Sequence, residues 1–259
     1  MHIQKTDSVN FKAGLTRKLV SEISTCRPEK VSTELAKLGI ESDFKNDKVV
    51  AWCSAKCVEI MKKLNQPLPR GVFLEDFAKL RADEGATGCC NVVPTNLYLN
   101  SDKIVPEKTI FFNSQFDWSK IDDMADFFYI NGSSSPHFIE PFLHEYSHVT
   151  HLNNLINKLG GERYVEKIGK ITQSLFMHNF QKKYFLLLLE ICHYATSTPL
   201  EAVACDLSKR IINHMPPNSL EVGDSVIKSS PYVRKQFSFG FNESKLDKTL
   251  RRFWNGNFK

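Results

Sequence analysis

The hydrophobic repeat of this chain changes twice, and those changes constrain its fold more than any other feature. Between residues 48 and 64 the apolar positions Val49, Val50, Trp52, Cys53, Cys57, Ile60, Met61 and Leu64 recur at three and four, the stripe of a helix packed along one face. Pro67 lies just past its end. GVFLEDF (71–77), CNVVPTNLYLN (90–100), KTIFFNSQF (108–116) and ADFFYING (125–132) then read as strands, because they are short, rich in β-branched and aromatic residues, and separated by Gly, Pro, Asn and Asp. Beyond residue 136 helical spacing returns over about 137–158, 163–193, 198–213 and 243–254. Two short helices come first, one from Thr16 to about residue 24 and one from Pro28 to Gly39, preceded by a polar arm over 1–13. Helices, then sheet, then helices is an α+β order.

At 259 residues and 42% apolar content, the chain is long enough for one large domain with its own core. It carries no internal repeat, low-complexity tract or obvious linker. We therefore expect a two-lobed single domain: an arm with short helices over 1–47, an upper lobe with the sheet over 48–160, and a helical lower lobe over 161–259. The seven cysteines are odd in number and unevenly spaced in a chain too large to need disulfide staples, which points to buried thiols in a reducing compartment. Cys53 and Cys57 share a helix face, yet no second pair at zinc-ribbon spacing accompanies them. The formal charge of +5 is too mild to imply nucleic acid. Basic and aromatic residues do mix over 234–259, but Leu246, Leu250, Phe253 and Trp254 follow the spacing of an ordinary amphipathic helix. The most apolar run, 184–189, is too short to span a bilayer, and the N-terminus lacks the apolar stretch of a secretory signal. The expectation is a cytoplasmic protein without a nucleic-acid or membrane partner; nothing in the sequence sets an oligomeric state.

The chemistry is concentrated in His144-Glu145-Tyr146-Ser147-His148, inside the helical stretch that follows the strands. Residues four apart on a helix share a face with Cβ atoms about 5–6 Å apart, so His144 and His148 can both reach one metal ion. Glu145 points about 100° around the helix, beside such an ion, where a carboxylate can take a proton from water. His151 returns to the same face about 10.5 Å along the axis, too far to share the ion. It reads either as a wall of the cleft behind the metal or as a surface histidine.

HEYSH, with strands before it and helices after it, resembles the HExxH motif of the zincin superfamily of zinc metallopeptidases over about residues 48–215. The metzincin pattern does not fit, since His151 and Asn154 stand where it requires glycine and histidine. The glycine-rich and cysteine segments of the deformylases are missing. The closest likeness is to the gluzincin branch, which implies one Zn2+ ion and a glutamate ligand from a later helix. Glu201, in TPLEAVACDLSKRI, matches that glutamate, and Ala202 and Ala204 are small enough to let its helix come close. Thr198-Pro199-Leu200-Glu201 is also a capping box, in which the glutamate needs no metal. Glu190, Asp206 and Cys205 are the successors to Glu201. The branch often carries an aspartate four residues after the glutamate to support a ligand histidine; here Cys205 holds that place and Asp206 follows.

Such enzymes commonly use a tyrosine or histidine to stabilise the developing oxyanion, with His193, Tyr194, His214 and Tyr232 as candidates here; Tyr232, in SSPYVRKQFSFGF, is taken for that role. A strand at the sheet rim holds the extended substrate in zincins, and 125–131 or 96–99 is expected to do so. The resemblance thus implies a peptidase acting on peptides or proteins, with Glu145 as general base and zinc on His144, His148 and Glu201. The alternative is a non-catalytic interaction domain of the same fold, with structural metal or none.

Overall fold

The computed structural model describes residues 15–215, 220–222 and 244–258, and its class is α+β. Three helices, α1 (Arg17–Thr25), α2 (Pro28–Ala36) and α3 (Lys48–Lys63), are interrupted by a short strand, β1 (Glu41–Asp43), that the hydrophobic pattern does not announce. Asp47 caps α3 by accepting a hydrogen bond from the Val50 amide. The remaining strands are β2 (Gly71–Glu75), β3 (Gly88–Cys90), β4 (Thr95–Asn96), β5 (Ile104–Val105) and β6 (Thr109–Asn113). The main sheet has the order β1-β2-β6-β3. Its first three strands are parallel, whereas β3 runs antiparallel along the outer edge, Gly88 opposite Phe112 and Cys90 opposite Ile110. β6 is buried along its whole length, as its unbroken apolar reading suggests for a strand covered on both faces. Most of CNVVPTNLYLN is not sheet: β4 pairs only with β5, in a separate two-stranded ribbon.

Residues 125–131, read from sequence as the last strand, instead belong to helix α4 (Ile121–Ile130). Asp122 and Asp123 sit in its first turn, where they favour the positive helix end, and Ile121 and Ala125, four apart, are buried. Its aromatics do not pack in a sheet; Phe127, Tyr129 and Ile130 are exposed. The long C-terminal helix expected over 163–193 is two helices, α6 (Gly161–Ile171) and α7 (Ser174–Leu188), divided at Thr172 and Gln173. They follow α5 (Glu140–Leu159) and precede α8 (Pro199–Asn213) and α9 (Lys245–Trp254).

At 20 residues, α5 is about 30 Å long and joins two apolar cores. Its first half, through Phe142, Leu143, Tyr146 and Val149, packs with α3 and the sheet. Its second half, through Leu152 and Leu155, packs with α6, α7, α8 and α9. Every residue from Glu140 to Leu152 is buried, so the polar side chains of this stretch are held inside the protein. Gly160, at φ +75°, ends the helix in a conformation that only glycine adopts without strain. All seven cysteines are unpaired thiols, with Cys53 and Cys57 wholly buried in the first core. No helix among the described residues is long and apolar enough to cross a membrane.

Candidate metal centre

Helix α8 packs along α5 and brings Glu201 to the histidine pair. Ala202 and Ala204 are fully buried in that approach, the role their small size suggests. Glu201 Oε2 lies 2.9 Å from His144 Nε2 and 3.2 Å from His148 Nε2, and the two Nε2 atoms are 3.1 Å apart. The imidazole planes stand at 86° to each other. Three atoms bound tetrahedrally to one ion at about 2.0–2.1 Å would be separated by about 3.3 Å. The observed triangle is close to that, so His144, His148 and Glu201 could hold a metal ion.

The electrostatics point the same way. Burial by itself would push the Glu201 carboxyl up, but the charges and hydrogen bonds of His148 and His144 outweigh it and hold the group well below the usual carboxylate range. Burial would push His144 down, yet its bond to Glu201 overcomes this and raises it to about 10. Two imidazoles and a carboxylate this close are stable together only around a positive charge, whether a proton or a metal ion supplies it. The capping alternative is half realised: Thr198 Oγ1 accepts from the Glu201 amide at 3.1 Å, but the Glu201 carboxylate turns to the histidines and away from the cap.

Glu145 is only 6% exposed, and its Oε2 has no hydrogen-bond partner. Burial raises its pKa, partly offset by the neighbouring histidines. Its back rests on the edge strand at Gly88, where an added Cβ would come within 3.1 Å of Glu145 Cγ and 3.2 Å of Phe112 Cδ1. The absent side chain is what lets the sheet press against α5. Glu145 and His144 open into a cavity of about 300 Å3 that also meets Glu140, Phe128 and Tyr194.

Of the candidate oxyanion stabilisers, Tyr194 is the one brought to this cavity. It begins a short 3-10 turn, its amide bonds Gly132 O at 3.0 Å, and its ring centroid lies 5.6 Å from that of His144. The Glu201 carboxylate, then burial, push its phenol up, so it stays protonated. No spacing in the sequence marks it, because it lies in a separate turn before the Thr198 cap of α8. His193 packs edge-on to Phe185, His214 is exposed and bonds Arg210 O, and Tyr232 lies outside the described residues.

The other expectations around the site resolve cleanly. Glu190 is exposed, and Asp206 pairs with Arg210 at 2.7 Å. Cys205 Sγ sits 3.8 Å from His144 Nδ1, on the side of the ring away from Glu201, so it stands behind the ligand and does not join it. His148 Nδ1 is buried without a hydrogen-bond partner. His151 is neither a surface histidine nor a wall of the cleft: it is wholly buried, its Nε2 donates to Phe253 O at 3.2 Å, and its ring stacks on Trp254. Compared with protein-family models, curated proteins and solved structures, the chain matches none of them.

Proposed function

We propose that this protein is a zinc-dependent peptidase of zincin type, nearest the gluzincin branch, hydrolysing peptide bonds in peptide or protein substrates. The observation that carries the reading is the pairing of a convergent His144, His148 and Glu201 triangle with a buried carboxylate, Glu145, that has no partner on Oε2 and faces the same cavity. Zinc, when bound, would polarise the scissile carbonyl and bring the pKa of a water to about 7. Glu145 would supply the base: its carboxylate faces the cavity with Oε2 unpartnered, and burial raises its affinity for a proton, so it can accept one from water and hand it to the leaving amine. Tyr194, kept protonated, donates its O–H toward the oxygen on which charge develops. Of the two segments expected to hold an extended substrate, 125–131 is helical and Asn96 lies in the two-stranded ribbon; we take β3, antiparallel at a sheet edge and packed on α5, as the strand that would pair with a peptide.

The test is zinc content of protein purified without chelator, followed by digestion of an unfolded protein substrate. One zinc per chain is expected, with Glu145→Gln keeping the metal and losing at least 100-fold in rate. Absence of both stoichiometric zinc and cleavage would leave the non-catalytic alternative, and unchanged cleavage by Glu145→Gln would remove Glu145 from the role of base.

A further inference from the structure

We propose that the cavity beside the metal centre selects substrates by a lysine or arginine side chain, whose charge Glu140 receives. The inference rests on the peptidase reading only for what enters the cavity; the charge argument belongs to the protein alone. Glu140 lies one helical turn before His144 and faces the same side of α5. It is 4% exposed, lines the cavity, and is held by Ser134, whose Oγ donates to Oε1 at 2.6 Å and lies 3.2 Å from Ser208 Oγ. A serine pair thus orients this carboxylate, and no cationic side chain among the described residues pairs with it. Glu145 lines the same cavity, more than nine-tenths buried, with Oε2 unpartnered. Asp83 adds a third carboxylate, and no lysine or arginine among the described residues lines the space.

With Glu201 included, four carboxylates face two histidines. Asp83 is exposed to water; the other three carboxylates, when ionised, leave a surplus of one negative charge on a divalent ion with neutral histidines, and Asp83 adds to the field from the solvent side. A carboxylate taken out of water without a cation is strongly disfavoured. A narrow cleft lined by one sign of charge concentrates its field on whatever enters. The cavity, at about 300 Å3, has room for a whole long side chain, and the Phe128 and Tyr194 rings on its walls suit an aliphatic stem and a flat guanidinium.

The test uses hexapeptides acetylated at the N-terminus and amidated at the C-terminus, each with arginine at one of the six positions, and twins in which citrulline, the neutral isostere, replaces it. Binding is titrated by calorimetry to zinc-loaded Glu145→Gln protein, which keeps Glu140 and Asp83. Cleavage of each pair in competition is followed by mass spectrometry with the unaltered protein. At one position the arginine peptide should bind at least 10-fold more tightly than its twin, and Glu140→Gln, which can still accept the Ser134 bond, should bring the two within about 2-fold. Equal binding of twins at every position, no binding by either, or a preference untouched by Glu140→Gln would overturn the inference. Cleavage without discrimination would sink it and leave the peptidase reading standing. Discrimination in binding with no cleavage by the zinc-loaded wild type would do the reverse.

Discussion

Acid should weaken this fold through His151, and by a calculable amount. The imidazole is wholly buried between α5 and α9, and burial depresses its pKa to about 3 against 6.5 for the free side chain. Between those values the unfolded chain binds a proton that the folded protein refuses. Stability therefore rises with pH across the window: the contribution is intact above about 6.5 and is lost as pH falls toward 3. A shift of 3.5 units at 1.36 kcal/mol each gives a ceiling of about 5 kcal/mol, of which about 2 kcal/mol is already gone at pH 5. His151→Gln places an amide nitrogen where Nε2 donates to Phe253 O and cannot be protonated in this range. Urea unfolding from pH 7.5 to 5.0, with chelator present so that metal release plays no part, isolates the effect as the difference between the two proteins. With a slope of about 3 kcal/mol per M, the wild-type midpoint should fall by about 0.7 M more than that of the variant. Parallel curves would refute the reasoning, because the buried imidazole would then titrate as it does in the unfolded chain.

Gly88→Ala should be felt at the site as well as in the sheet, since the new Cβ meets Glu145 Cγ and Phe112 at 3.1–3.2 Å; we expect a loss of about 1–3 kcal/mol in urea unfolding and a fall in cleavage rate beyond what the unfolded fraction explains. Glu201→Gln keeps the helix start, because Thr198 bonds the backbone amide of that residue and not its side chain. It should nevertheless weaken zinc binding, measured by competition with a chromophoric chelator, by more than the roughly 10–100-fold that loss of a group behind the metal produces. Undiminished affinity would return Glu201 to the role of a cap.

Legible in the sequence was whatever depends on neighbours along one helix. The four-residue spacing of His144 and His148 is of this kind and brings their Nε2 atoms to 3.1 Å, whereas Glu201, on another helix, was reached through the family resemblance and the small residues after it. What depends on partners far along the chain was not. Residues 125–131 carry strand-forming aromatics, but two acids in the first turn and an apolar pair four apart make a helix of them once Ile121 and Ala125 have a core to enter. His151 read as a cleft wall or a surface histidine because the carbonyl that satisfies it belongs to Phe253, 102 residues away. Gly88 drew no notice, since its function is to be missing a side chain beside Glu145. Tyr194 was passed over in favour of Tyr232, because only the fold brings it to the cavity beside His144.

The seating of α9 on α5 also bears on when the protein becomes competent. Phe253 and Leu250 complete the core around the second half of α5, and Asn154 and His151 bond the backbone of Trp254 and Phe253. A growing chain that has reached residue 214 already contains every residue of the metal triangle, yet the helix that carries the histidines still has one flank open to water. Since synthesis proceeds at about 5–20 residues per second, the interval before residue 254 emerges is a few seconds. For that time the chain holds the three side chains of the triangle on a scaffold whose second core is unfinished.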